Sequence, residues 1–318
     1  MGAEKSEKSR FALGVIAALA GAAMWGLSGS CVQFLTGTYG IDPAFLTMFR
    51  SITGGMLFLL ILVTVNKQTV MHMIADAHDR RMLFVFGLAL FANLFTYAMT
   101  VKLTNAGNAT VLQMLASVFV MLYTCLRTRA LPSVREVMAL ILAIAATLIM
   151  ATQGDMTTLN MPLAGLIWGV LCGISAAAYI VLPKETGLAD RYGSLNVTGI
   201  GTCFSALFAL ICALCLEMSG IDIFANVGSI DATGWVVIFV GIILVGTIGA
   251  YGLYLYGVSV VGNVRGSLLG AMEPVSATAF SALWLGTVFS GFDMAGLVLM
   301  ILMLVLITKR SARQDSTD

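Results

Sequence analysis

Two ionisable side chains stand in stretches that are otherwise hydrocarbon. Glu273 lies eleven residues into the apolar run 262–287, roughly 16 Å from its start at 1.5 Å per residue and so near the middle of a ~30 Å bilayer core. Pro274 follows it directly. Proline has no N–H, so the Gly270 carbonyl loses its helical partner and the helix must kink. A carboxyl group beside a freed carbonyl is tolerated at that depth only where it faces protein or a wet cavity. It either exchanges a proton as the cavity changes sides, or stays charged as a binding anion, or only supports the kink. Gly262, Gly266 and Gly270 fall four apart, which puts them on one helix face where a second helix can approach closely. Arg50, the other charge, lies seven residues into the run 43–65, roughly 10 Å deep. It receives a substrate carboxylate, pairs with Glu273, or snorkels its stem to the interface.

Polar and aromatic residues recur around these two at helical spacing. Asn93, Tyr97 and Thr100 share one face by i, i+4, i+7 spacing, as do Thr247, Tyr251 and Tyr254. Trp168, Cys172, Ser175 and Tyr179 mark a third stripe; Gln113, Trp25 and Ser28 sit within apolar runs. Any single ring also fits an interfacial belt or core packing. As a set they fit a partly polar cavity for a small organic molecule. The expected substrate-binding residues are Trp25, Arg50, Asn93, Tyr97, Gln113, Trp168, Tyr179, Tyr251, Tyr254 and Glu273.

Only a membrane fold can position such residues. The chain has 318 residues, 59% hydrophobic and 10% charged, with mean hydropathy +0.97; soluble domains carry about 25% charged residues. The net charge of +1 says nothing about partners, and the sequence has no basic patch suited to nucleic acid. The six cysteines lie in or at the ends of apolar runs, and Cys212-x-x-Cys215 has no second pair, so packing is their expected role. His72 and His78 share one polar segment with no third ligand. No metal or cofactor is expected. Asn108-Ala-Thr110 and Asn196-Val-Thr198 match a glycosylation sequon but fall at or in spans. The N-terminal basic residues and apolar run read as an uncleaved first span.

The apolar runs are 11–36, 43–65, 82–103, 106–126, 134–152, 162–182, 194–217, 233–257, 262–287 and 292–308. Pro183 is expected to close the sixth, and 66–81 to form a polar surface connection. Ten spans put both termini on one face. The segments 1–10, 66–81, 127–135, 183–193, 258–265 and 309–318 on that face hold 15 of the 17 Lys and Arg. The opposite loops hold Lys102 alone, and Arg50 is inside a span. The positive-inside rule then makes the termini cytoplasmic in a multi-pass protein of the cell membrane.

The chain also repeats. Leu19-Ala20-Gly21 then Trp25-Gly26 recurs as Leu163-Ala164-Gly165 then Trp168-Gly169, and Gly107-Asn108 recurs as Gly262-Asn263. Five spans per half make the second half start from the opposite face. The expected fold is an all-α integral membrane protein, ten transmembrane helices as a 5+5 inverted repeat, with repeats at 11–152 and 162–308.

These elements resemble the EamA family of the drug/metabolite transporter superfamily. The matching residues are Met24-Trp25-Gly26, Phe49-Arg50, Thr104-Asn105-Ala106 running into Ala109-Thr110-Val111-Leu112-Gln113, then Glu273-Pro274-Val275, Leu285-Gly286 and Gly296. Where the family has a proline in span four this chain has Ser117, and its glutamates after spans four and nine are Ala130 and Thr287; the first repeat is therefore expected to lack the second one's kink. The resemblance implies an exporter of small metabolites, with a cavity between the repeats and spans five and ten outside it.

With one inner acid and one inner base, a neutral or zwitterionic solute such as an amino acid fits better than a multiply charged ester. Partners are thus a small-molecule substrate and the lipid bilayer, with proton coupling open. An uncoupled facilitator or channel is the nearest alternative. An intramembrane enzyme fits poorly, for H-E-x-x-H, G-x-S-x-G and paired intramembrane aspartates are all missing.

Overall fold

The structure, a computed structural model, describes residues 2–129, 131–155 and 158–314; Ala130 lies outside them. Ten helices follow one another: α1 Gly2–Thr38, α2 Pro43–Ala75, α3 Ala77–Leu103, α4 Ala106–Thr128, α5 Val134–Thr152, α6 Leu163–Glu185, α7 Ser194–Met218, α8 Ala232–Val261, α9 as Asn263–Gly270 and Met272–Leu285, and α10 Gly291–Gln314. Among the described residues nine are long and apolar enough to cross a membrane, and Gly291–Leu306 of α10 is a shorter apolar helix.

Helix starts follow local chemistry. Asp42 caps α2 through the Ala44 N–H at 2.8 Å, with Pro43 in the first turn. Asn105 caps α4 through the Asn108 N–H at 2.8 Å, and Asp231 caps α8 through the Gly234 N–H at 2.9 Å. Such side-chain acceptors satisfy N–H groups that have no helical partner.

Several details differ from the sequence reading. Pro183 does not end α6, which runs on to Glu185. Residues 66–75 continue α2 beyond a bend at Asn66 (φ −135°, ψ 44°), with Val70 and Met73 buried beneath. Gly262 is not on the glycine face of α9: it is the turn residue, at φ +88°, while Gly266 and Gly270 do pack on Val258 and Tyr254 of α8. Both repeats break their fourth helix. In α9 the break falls at Ala271, three residues before Pro274. In α4 it falls at Met114–Leu115 without any proline, as the Leu115, Ser117 and Val118 N–H groups bond three residues back to Leu112, Met114 and Leu115. A tightened 3₁₀-type turn does there what proline does in the second repeat.

The packing is two-fold. The principal neighbours are α2 with α7, α5 with α10, α3 with α6, α1 with α8, α1 with α9, α3 with α7, and α6 with α4. Adding five to each helix number maps these pairs onto one another, except that α3 with α7 becomes the slighter contact of α8 with α2. Helices α5 and α10 form an outlying pair, in which Ala139, Ala143 and Ala146 sit in one cluster with Met300 and Met303.

The two faces are joined differently. At the face away from the termini, the Gln33 carboxamide of α1 accepts from the Ala106 N–H (2.8 Å) and the Ser281 hydroxyl (3.0 Å), and donates to Thr287 (2.8 Å). Phe34 stacks on Trp284, centroids 5.1 Å apart. The Tyr39 hydroxyl donates to Asp231 at 2.6 Å. At the terminal face the counterpart is Tyr192, which donates to Asp79 at 2.6 Å, with Arg191 also on Asp79 at 2.7 Å. Tyr39-Gly40 and Tyr192-Gly193 both link the first and second helices of their repeats, and both glycines have positive φ. At the terminal face Arg127 of α4 pairs with Glu185 of α6, and among the described residues no glutamine takes the place of Gln33. The terminal half of α4, Ala116–Thr128, packs chiefly on α6, while Asn263–Gly270 packs on α1, α8 and α10.

Candidate functional site

A cavity of about 70 Å³ lies where the helices of the two repeats cross. From the first repeat come Trp25, Ser28 and Gly29 of α1, Arg50 of α2, Asn93, Leu94 and Tyr97 of α3, and Gln113 at the break of α4. The second repeat supplies Tyr179 of α6, Tyr251 of α8 and Glu273 of α9. Eight of the ten residues expected from the sequence therefore share one cavity. Tyr254 lines an adjoining space of about 160 Å³, together with Ser117, Ile180, Ser267 and Leu304 from the terminal halves of their helices. Gln113, Tyr179 and Glu273 line both spaces and form the junction. Trp168 lies in neither: it packs edge-on against Phe95 at 5.6 Å. Thr100 is buried and donates to the Thr96 carbonyl at 2.7 Å.

Arg50 is held by α8. Its Nε donates to Thr247 Oγ1 at 2.9 Å and its Nη2 to the Gly246 carbonyl at 3.0 Å. That carbonyl lies in a π-helical stretch, Val237–Gly249. There Thr247 Oγ1 itself donates five residues back, to Ile242 at 2.9 Å. Wide turns of this kind are rare and recur at functional sites. Among the described residues no carboxylate lies within ion-pair distance of Arg50, and no cation within that distance of Glu273. The two opposite charges face one cavity without joining.

Aromatic rings form the wall. Trp25 meets Tyr251 edge-on at 5.0 Å and Tyr254 at 4.7 Å, both favourable arrangements. The Tyr254 hydroxyl donates to the Gly266 carbonyl at 3.1 Å, tying α8 to α9. Asn93 Nδ2 meets Cys172 Sγ at 3.9 Å, and Cys172 donates to Gln113 Oε1 at 3.5 Å. Cys172 thus bridges two lining amides as well as packing. No group of three or more His, Cys, Asp or Glu that could hold a metal ion occurs among the described residues.

The cavity, its separate acid and base, and the two-fold helix order can be set beside known proteins. The EamA-like transporter family matches residues 12–152 and again 163–309. The chain belongs to the EamA-like transporter family. It is 30% identical over 308 residues to an uncharacterized inner membrane transporter, YicL, of Salmonella typhimurium, covering 95% of this chain and 97% of that one. A crystal structure 18% identical in sequence superposes with a TM-score of 0.59 over 96% of this chain and 99% of its own, a likeness of fold. The protein is thus a multi-pass membrane transporter of ten helices in two inverted EamA repeats.

The residues that the sequence did not single out are Gly29 and Leu94 of the cavity, Thr47, which lines a smaller space with Arg50, and Gln33. Gln33 follows Ser28 by five positions, outside the i, i+3, i+4 pattern used to find cavity faces.

Proposed function

We infer that this EamA protein is a secondary transporter that exports a small neutral or zwitterionic organic metabolite, such as an amino acid, by alternating access. The observation that carries this is the cavity at the crossing of the repeats, lined by Arg50 and Glu273 with neither ion-paired. A buried charge is costly unless paired, and a zwitterion supplies a partner to each. The loop charges favour cytoplasmic termini, so the space beside Glu273 is the cytoplasmic approach and the Gln33 contacts close the outer side. That is the loading state of an exporter. The polar residues of the cavity are read as binding groups, not as an enzyme's. Glu273 is the residue by which transport would couple to protons.

The test is counterflow in proteoliposomes, read with each of the protein amino acids as labelled solute. Saturable exchange stimulated by solute on the far side is expected. Arg50→Met, which keeps an apolar stem and removes the charge, should lower it at least about tenfold while the protein stays folded in the membrane. Glu273→Gln should lose pH-gradient-driven uptake yet keep counterflow. Unsaturable flux, or full activity of both variants, would overturn the reading.

A further inference from the structure

Unpartnered polar atoms point to a more specific ligand. Five buried side-chain nitrogen or oxygen atoms make no hydrogen bond within the described residues: Ser28 Oγ, Thr47 Oγ1, Tyr97 Oη, Asp79 Oδ1 and Asn196 Oδ1. Asp79 Oδ1 is ion-paired with Arg191. The three hydroxyls gather around one residue. Ser28 and Tyr97 line the central cavity with Arg50, and Thr47 and Tyr97 line a smaller space that Arg50 also borders. They are 2%, 3% and 8% exposed. An unpaired buried hydroxyl costs about 1–3 kcal/mol, and three around one unpaired guanidinium is a concentration that folding alone does not reward.

The backbone is shaped to bring them together. A Cβ at Gly29 would collide with the Tyr97 hydroxyl, and one at Gly246 would collide with Ser28 Oγ. Gly246 is also the residue whose carbonyl holds Arg50. The guanidinium is therefore held by Thr247 and Gly246, and the hydroxyls line the same spaces as Arg50.

We propose that Arg50, Ser28, Thr47 and Tyr97 form an oxyanion pocket, so that the transported molecule must carry a carboxylate, and that this group points toward the face away from the termini. The proposal rests on the reading of the cavity as the substrate site and narrows its ligand: neutral and purely cationic solutes are excluded. A guanidinium with hydroxyl donors matches the acceptor-only oxygens of an ionised carboxylate. One fixed cation balances one charge, so a doubly charged phosphate would remain under-compensated in a buried site. The direction follows from depth. Thr47, Arg50, Tyr97 and Ser28 lie four to ten residues from the ends of their helices at that face, roughly 6–15 Å at 1.5 Å per residue. Glu273 is twelve residues from the same end of α9 at Leu285, roughly 18 Å. A zwitterion would thus lie with its carboxylate toward the Gln33 closure and its ammonium toward the terminal approach.

The experiment uses the purified full-length protein, with the protein amino acids and their carboxamides as probes, read by thermal shift and by counterflow. Amino acids that raise Tm should bind at least about tenfold more tightly than their amides. Tyr97→Phe and Ser28→Ala should each shrink that ratio to about threefold or less. The same variants without ligand should melt at or above the wild-type temperature, because an unpaired buried hydroxyl has been removed; a merely structural hydroxyl would do the opposite. Equal binding of acid and amide, or a lowered Tm of ligand-free Tyr97→Phe, overturns the oxyanion pocket and leaves the transport reading standing. Absence of counterflow with every amino acid and every amide overturns both.

Discussion

The two ends of this transporter share a tyrosine–aspartate pair and differ in the groups around it. At each end a tyrosine between the first and second helices of one repeat bonds at 2.6 Å to an aspartate at the start of the third helix of the other, Tyr39 to Asp231 and Tyr192 to Asp79. One difference is Gln33, which ties α1, the start of α4 and the second half of α9 at the end away from the termini. At the terminal end the equivalent halves of α4 and α9 pack on different neighbours, and the space beside Glu273 lies among them. The tyrosine bonds stand at both ends, whereas Gln33 joins the broken helices at one of them.

That comparison can be broken at Gln33, where the largest effect is expected. Gln33→Leu removes three hydrogen bonds and leaves the Ala106 N–H of α4 without its acceptor, at about 1–3 kcal/mol for each buried group left unpaired. The closed end should loosen. A single cysteine at Ser30, which is fully buried, in a chain otherwise freed of cysteine, should then react with an impermeant maleimide at least about tenfold faster. An unchanged rate would mean that Gln33 does not hold this end shut.

A middle-sized effect is expected at the terminal end. Asp79 is buried and accepts from both Arg191 and Tyr192. Asp79→Asn removes the charge from that pair. Arg191 is half exposed, so the loss is discounted to about 1–2 kcal/mol. That bond is made while the space beside Glu273 exists, so its loss should lower the Tm and leave labelling at Ser30 near the wild-type rate. Asp231→Asn should lower the Tm by less, because its bond with Tyr39 is solvent-exposed. A changed labelling rate in Asp79→Asn would show that the tyrosine–aspartate pair does set which end opens.

The smallest effect concerns pH. The bond to Asp231 holds the Tyr39 hydroxyl above its ordinary range, and the same bond holds the Asp231 carboxyl below its own. A depressed carboxyl contributes stability above its ordinary value that is lost as pH falls through the lowered one. A raised phenol contributes below its ordinary value and loses it as pH rises through the raised one. The contribution is then whole between about pH 4 and 10. The Tm difference between wild type and Tyr39→Phe should be flat across that interval and shrink only outside it; a slope near neutrality would contradict the assignment.

Much of this was legible from residue types. Apolar run length and the basic loops gave ten spans with the termini together, because hydrophobic thickness and charge act on every span in the same way. Period 3.6 brought Asn93 and Tyr97 to one face and found Tyr179 and Tyr251. It could not limit depth: Trp168 shares the face of Tyr179 but sits eleven residues away along α6, beyond the cavity, where it packs on Phe95. The break in α4 was missed because proline was taken as its cause, whereas three-residue hydrogen bonds around Met114 suffice. The π-helical stretch of α8 and the Gln33 closure have no residue signature, since both depend on which helix lies opposite.

The most direct test of the account is to tie the closed end shut. Cysteines replacing Phe34 and Trp284, whose rings stack at 5.1 Å, can be joined by a short bifunctional methanethiosulfonate in an otherwise cysteine-free chain. Counterflow of whichever amino acid raises the Tm should fall to background on cross-linking and return with reductant, while that amino acid still raises the Tm of the cross-linked protein from the terminal side. Counterflow that continues with the link in place would show that these ends do not alternate.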